Sequence, residues 1–215
     1  MQKKPAYDYV REAILKGELK PGQSVTEESL SQTLNVSRTP IREALIRLES
    51  EGLVTILKNK GAFVRQITSV DIAEIFQLRV LLEGHAARSC IQFISMPDVA
   101  DLLEKFQRVE GAGQEQRTKL ELGSRVHDLV IHAAGNMRLK RLVELLTTQI
   151  VWIQSFATLV PGRTDKSVQE HVEILDAILN RDGDRAERAM RRHLENTMNE
   201  LLHVGNLPAL SAFMR

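Results

Sequence analysis

Asn35-Val36-Ser37-Arg38-Thr39-Pro40-Ile41-Arg42-Glu43-Ala44-Leu45-Ile46-Arg47-Leu48-Glu49-Ser50-Glu51-Gly52-Leu53-Val54 is the stretch whose division decides the fold. Ser37 is of the type that caps a helix through its hydroxyl, and Pro40 falls in the first turn, where a missing N–H costs little. Beyond that start, Ile41, Ala44, Leu45 and Leu48 recur at helical spacing and predict a buried stripe. Arg38, Thr39 and Arg42 leave the helix on another side, near its N-terminal end. Taken alone, two arginines and a threonine fit an ordinary solvated face, so the flanking segments must decide.

Upstream, Tyr9, Val10, Ala13 and Ile14 give Ala6 to Lys16 a helical period, and Gly17 stands where a C-terminal cap belongs. Lys20-Pro21-Gly22 is a turn. Thr26 opens a second helix with Leu30 and Leu34 facing inward, and Asn35 ends it, so a short connection leads into the Ser37 helix. That is helix-turn-helix spacing. Downstream, Leu53-Val54-Thr55-Ile56 and Ala62-Phe63-Val64 flank Lys58-Asn59-Lys60-Gly61, a basic hairpin tip with glycine where positive φ is expected. Such a tip can lie against a sugar-phosphate backbone, although without the neighbouring helix it reads as a plain surface turn. In this setting Arg38 and Arg42 can fork onto guanine or grip phosphate, and the short hydroxyls of Ser37 and Thr39 reach phosphate or base edges.

The ordered set Gly17, Leu19, Pro21-Gly22, Leu30, Val36-Ser37-Arg38-Thr39-Pro40, Arg42-Glu43-Ala44-Leu45, Leu48-Glu49, Gly52-Leu53-Val54 and Gly61 resembles the winged helix-turn-helix of GntR-type bacterial regulators. The resemblance covers roughly the first third of the chain. It implies that Ser37, Arg38, Thr39, Arg42 and the wing glycine Gly61 contact double-stranded operator DNA, with Lys58 and Lys60 beside them on the wing. Glu28 receives no contact.

A boundary is expected between Gln66 and Val70, giving a DNA-binding unit over residues 1–67 and a second unit over 68–215. Strand signals vanish after it. Helices are expected at about 70–94, 97–117, 119–134, 137–159, 165–182 and 184–204, separated by Met96-Pro97, Gly111 to Gly113, Gly135-Asn136, Pro161-Gly162 and Asp182-Gly183-Asp184. The fold class is therefore mostly α: a winged helix-turn-helix followed by an all-α six-helix bundle. With 215 residues and 43% apolar content there is material for a packed core. The net charge of +1 hides an asymmetry, because residues 1–67 carry 11 Lys and Arg against 8 Asp and Glu, and the remainder is net negative. So mild an excess makes DNA binding depend on specific contacts and on two copies acting together. Cys90 is the only cysteine, so no disulfide forms within the chain, as expected in a reducing cytoplasm. No stretch is long enough to cross a bilayer, and no membrane partner is expected.

Three histidines fall on apolar faces of the expected bundle. His127 aligns with Val130, Ile131 and Ala134; His171 with Ile174, Leu175 and Ile178; His193 with Ala186, Ala189, Met190 and Thr197. Neutral imidazole ligates divalent zinc or nickel, and three rings on three helices can share one ion. Each alone reads better as a core histidine hydrogen-bonded to a neighbour. Val126-His127, Ala133-Ala134-Gly135-Asn136, Glu170-His171 and Met190-Arg191-Arg192-His193-Leu194, with Arg79-Val80-Leu81-Leu82-Glu83 as an opening motif, resemble the helical ligand-binding domain of the FadR branch, and the short six-helix form is more like its VanR arm. That resemblance implies a divalent metal on His127, His171 and His193, holding a small carboxylate effector. The family pattern adds an aspartate one turn before the first histidine, and Gly123 stands there instead. Arg79 either meets the effector carboxylate or pairs with Glu83 one turn on.

The expected protein is thus a homodimeric transcriptional regulator, a repressor relieved by a metabolite, and not an enzyme. Leu139, Leu142, Val143 and Leu146 form a face that serves as core or as dimer interface. Two rivals stand beside this: a metal-free sensor, and a metal-dependent hydrolase. The second lacks a His-Glu-x-x-His helix and any evident inward acid beside His127, Glu170 being expected to point away.

Overall fold

The computed structural model describes residues 5–58, 60–109 and 116–204. Met1 to Lys4, Asn59 of the hairpin tip, residues 110–115 with the separator at Gly111 to Gly113, and the part of the second unit after Val204 lie outside the described residues, whereas Gln116 and Arg117, expected to end one helix, begin the next.

Helix α1 (Ala6–Leu15) buries Val10, Ala13 and Ile14 against α3 (Arg38–Ser50), whose buried stripe is Ile41, Ala44, Leu45 and Leu48. Between them α2 (Glu27–Leu34) starts on Thr26, whose hydroxyl accepts from the Ser29 amide, and stops at Asn35 in the left-handed region, φ 50°. Asparagine tolerates that conformation, and it turns the chain sharply into α3. Ser37 departs from expectation. It occupies the N-cap of α3, but its exposed hydroxyl makes no capping bond.

Strands β2 (Val54–Leu57) and β3 (Gly61–Val64) form the expected antiparallel hairpin. A strand that sequence reading did not expect, β1 (Ser24–Val25), adds to the other edge of β3 in the order β1-β3-β2. Two residues are too few to display a period of two, so nothing marked it. Gly61 has φ +89°.

The bundle begins with α4 (Ser69–Ser89), started by a capping box in which Thr68 and Asp71 satisfy each other's backbone amides. Expected to run to residue 94, α4 instead ends at Ser89 and tightens into a 3-10 turn, Cys90–Gln92. Cys90 is fully buried there, and Ser95 then accepts from the Asp98 amide at the head of the next helix. The remaining helices are α5 (Met96–Val109), α6 (Gln116–Ala133), α7 (Met137–Ala157), α8 (Arg163–Leu179) and α9 (Gly183–Val204). Helix α9 lies antiparallel along α4, Gly84 facing Arg191 and Gly183 facing Arg88, and also packs on α8. The α7 face expected to be core or interface divides: Leu139 and Val143 are buried, Leu146 half-buried, Leu142 exposed.

The two units meet at the end of α3. Glu51 follows its last turn, and its carboxylate accepts from the Tyr7 hydroxyl at 2.7 and 2.8 Å, from Arg47 at 3.1 Å and from Thr148 of α7 at 3.2 Å. Gln149 donates to the Glu51 backbone carbonyl at 3.3 Å. Gly52 suits the turn by its backbone freedom, and a side chain there would push Gln149 off its bond. Its φ is +75°, and a Cβ there would lie 2.6 Å from the Gln149 amide nitrogen.

Candidate metal and effector site and DNA-reading face

Arg38, Thr39 and Arg42 project from the exposed side of α3, with Ser37 just before them, and Lys58, Lys60 and Gly61 are exposed on the wing. Because Ser37 makes no capping bond, its hydroxyl and the first amides of α3 share one open end, a setting that favours phosphate. Arg42 is already engaged: its Nε donates to Glu27 Oε1 at 2.7 Å. That bond raises the Arg42 pKa and lowers that of Glu27.

Inside the bundle, α6, α8 and α9 bring His127, His171 and His193 together, each buried, with one nitrogen from each ring lying within 4.8 Å of the others. His171 Nε2 and His127 Nε2 are 3.3 Å apart. Nitrogen ligands on a tetrahedral ion with bonds of about 2.0–2.1 Å sit roughly 3.3–3.4 Å apart, so this pair already has ligand spacing. The third ring packs against both, His193 with its centroid 4.3 Å from that of His171 and 5.3 Å from that of His127.

The far side of each ring differs. His127 Nδ1 bonds Glu83 Oε2 at 2.6 Å, and Glu83 also accepts from Arg79 Nε at 2.6 Å. His193 Nδ1 bonds Glu170 Oε2 at 2.7 Å, and Glu170 is ion-paired with Arg163, which is fully buried. His171 Nδ1 has no hydrogen-bond partner; the Ser167 carbonyl one turn back raises its pKa weakly without making a bond of proper geometry. Two expectations are corrected here. There is an inward acid beside His127, namely Glu83, and Glu170 does not point away but reaches across to α9, where Asn196 also donates to it at 2.8 Å. A glutamate spans the step between neighbouring helices, so a position a sixth of a turn or more from the inward line still reaches a buried partner.

Charge follows from these contacts. Burial alone would raise the Glu83 carboxyl, but Arg79 and His127 outweigh it and hold the group well below the usual carboxylate range. Burial likewise opposes ionisation of Glu170, and the bond and charge of His193, helped by Asn196 and Arg163, bring its pKa down. Burial depresses His171 strongly, with His193, His127 and Arg163 adding to the effect, and burial pushes His193 down to about 4 against the pull of Glu170. The cluster therefore sets the outer nitrogens of His127 and His193 against two ionised glutamates, while His171 stays neutral and unpartnered on its outer side. An imidazole that gives Nδ1–H to a carboxylate keeps its Nε2 lone pair bare, and a bare imidazole nitrogen is the kind of donor a divalent cation requires.

Gly123 lies under His171: a Cβ at that position would come 2.8 Å from its Cε1 atom. The glycine standing in place of an aspartate thus gives the ring room that a side chain would take. Glu121 is exposed and pairs with Arg117, well away from the rings. Arg79 borders the same cavity of about 30 Å³ as the three histidines, together with Lys119, Thr164 and Gln154. It pairs with Glu83 as one of its two expected roles required, though as a buried pair and not a surface one. Arg163 was missed altogether. Its signal was the spacing Arg163, Ser167, Glu170, which puts all three on one side of α8.

Comparison with known proteins agrees with this architecture. Residues 2–64 match the bacterial regulatory proteins of the gntR family, and residues 74–196 match the FCD domain. The uncharacterized HTH-type transcriptional regulator YdhC of Bacillus subtilis (strain 168) is 26% identical over 201 residues, spanning 92% of this chain and 90% of its own. The HTH-type transcriptional repressor RspR of Escherichia coli (strain K12) is 29% identical over 193 residues, spanning 88% and 84%. Among solved structures, E. coli McbR/YncC shares the fold with a TM-score of 0.75 at 19% identity, covering 94% of this chain and 97% of the other. The chain belongs to the GntR family of bacterial transcriptional regulators, in the form that carries an FCD domain behind its winged helix.

Proposed function

We propose that this regulator is a homodimeric repressor whose hold on a palindromic operator is set by a small carboxylate metabolite bound in the FCD cavity beside a divalent metal, zinc or nickel. The observation that carries the reading is the convergence of His127, His171 and His193 from three helices, within 4.8 Å, at the wall of one cavity. When bound there, a divalent ion supplies positive charge for an effector carboxylate. Everything else falls to the chain. Arg79 and Lys119 are cations on the wall, but each is paired, with Glu83 and with Asp165, so an incoming carboxylate joins existing pairs and does not meet bare charge. Thr164, Ser124 and Gln154 offer it hydrogen bonds. A cavity of about 30 Å³ takes about two waters, so the effector is small or the walls yield to it.

On the reader, Arg38, Thr39 and Arg42 meet base edges or phosphate, and Ser37, Lys58, Lys60 and Gly61 meet the backbone. Two readers are needed because one carries little excess charge. The second copy finds an apolar surface in Val70, Leu78 and Leu81 of α4 and Leu142 and Leu145 of α7, all exposed in the single chain. Effector binding shifts the balance between arrangements of the two readers, provided that it prefers one of them. Repression is supported by RspR, which is described as a repressor. A hydrolase is disfavoured by the same chemistry that builds the site: Glu83 and Glu170, the acids nearest the rings, are ion-paired to arginines, which makes them poor proton acceptors.

Elemental analysis of freshly purified protein, with a thermal-shift screen of carboxylic acids on the same sample, tests the reading. Close to one zinc or nickel per chain and a carboxylate that raises the midpoint support it. Chain free of metal, with a carboxylate response that a chelator leaves unchanged, moves the conclusion to the metal-free sensor.

A further inference from the structure

The two outer rings of the histidine cluster are held by the same device, built twice from unrelated parts of the chain. Arg79 and Glu83, one turn apart on α4, reach His127 on α6. Arg163 and Glu170, two turns apart on α8, reach His193 on α9. In both, the arginine is buried, the glutamate accepts from it, and the glutamate's Oε2 accepts from the imidazole Nδ1, at 2.6 and 2.7 Å. An ionised carboxylate only accepts, so the hydrogen in each bond belongs to the ring. His171 has no such counterpart: its Nδ1 lacks a partner, and the ring is placed by the 3.3 Å approach of its Nε2 to His127 Nε2 and by packing between Gly123 beneath and Phe106, whose centroid is 5.5 Å away.

We infer that Glu83 and Glu170 are positioning residues that lock His127 and His193 as Nδ1–H tautomers with Nε2 presented to the cavity, each glutamate being held in turn by Arg79 or Arg163. His171 is then the adjustable member of the set. The assignment gives Arg79 a role through Glu83, distinct from direct contact with an effector. Its metal-related half rests on the metal site proposed above; its tautomer half does not.

The test uses the full-length protein stripped of metal. Ring nitrogens are assigned by long-range proton–nitrogen NMR, and Zn2+ affinity is then measured by competition with a chromophoric chelator. Glu170→Met removes one acceptor while leaving Arg163 its contact with Glu200. Glu83→Met alone would strand a buried Arg79, so it is made together with Arg79→Met, which leaves no unpaired charge. In wild type, His127 and His193 are expected as Nδ1–H. Each variant is expected to release its own ring from that form, leave the other locked, and weaken Zn2+ binding roughly 10- to 100-fold, as loss of an outer partner does in other metal sites. A ring that stays Nδ1–H in its variant, or affinity within about twofold of wild type in both, overturns the inference. Wild-type protein that binds no Zn2+ defeats the metal reading alone, and the tautomers from the same samples still decide whether the glutamates lock the rings.

Discussion

Gln149 of α7 donates through Nε2 to the backbone carbonyl of Glu51, the residue that closes the recognition helix, at 3.3 Å. Thr148 beside it donates to the Glu51 carboxylate. Five residues further along the same helix, roughly 7.5 Å of rise, Gln154 lines the histidine cavity. One rigid rod therefore touches both the cavity and the end of the reader.

Thr148→Val combined with Gln149→Ala removes both α7 bonds to Glu51, at a cost of about 1 kcal/mol each. Amide exchange at Gly52 and Leu53 is expected to accelerate while the bundle core keeps its protection. Equal protection in wild type and variant would show that the two bonds do not hold the units together.

Arg42→Ala is expected to weaken operator binding roughly ten- to a hundredfold without moving the unfolding midpoint, since the side chain is exposed. Fluorescence anisotropy with a labelled operator measures it. Unchanged affinity rejects the contact.

Lys58→Ala and Lys60→Ala should reduce affinity for every sequence alike and lower the salt slope by about 1 each, the mark of a lost phosphate contact. A titration of anisotropy against salt separates this from loss of base reading. If the slope stays put, the wing does not lie on the backbone.

Metal-stripped protein is expected to lose stability as pH falls from about 6.5 towards 4. The sign follows from the depressed histidines: His193 is held near about 4 and His171 well below its ordinary value, so the unfolded chain takes up protons in that window and the native one does not. The slope is at most about 1.4 kcal/mol per pH unit for each ring. Below about 4.5 the lowered Glu170 and Glu83 add to the loss, because their stabilisation exists only while they are ionised. Urea midpoints across this range, with chelator present, check the prediction, and a flat profile refutes it.

Gly123→Ala places a Cβ within 2.8 Å of the His171 ring as it stands, so that ring must move. Metal content is expected to fall, as it is more completely with His171→Ala. Elemental analysis that finds His171→Ala as fully loaded as wild type would remove His171 from the ligand set, and full loading of Gly123→Ala would show that the ring moves without leaving it.

The presence and order of the helices and the inward direction of the three histidines were legible because each rests on a period of 3.6 residues within one segment; exact ends, such as Ser89 where 94 was expected, were not. Partners across segments were not. Glu83 and Glu170 carry no local mark that distinguishes a buried, arginine-held carboxylate from a solvated one, and Arg163 at a helix start reads as surface. The strand at Ser24–Val25 was too short for any pattern, and only its pairing with Phe63 and Ala62 defines it. The Ser37 hydroxyl was read as a cap from residue type, whereas the backbone adopts the cap conformation without using the side chain.

The Glu27 carboxylate on Arg42 also bears on how the reader treats the rest of a genome. Random duplex offers phosphate charge and little more, so to recruit Arg42 it must first displace a bond at 2.7 Å that is already made. A cognate site presenting a guanine edge to the same guanidinium returns two directed bonds for the one given up. Glu27 thus subtracts from loose and tight complexes alike: it shortens the time spent on irrelevant sequence and leaves the gap between the two to be set by the guanine bonds themselves.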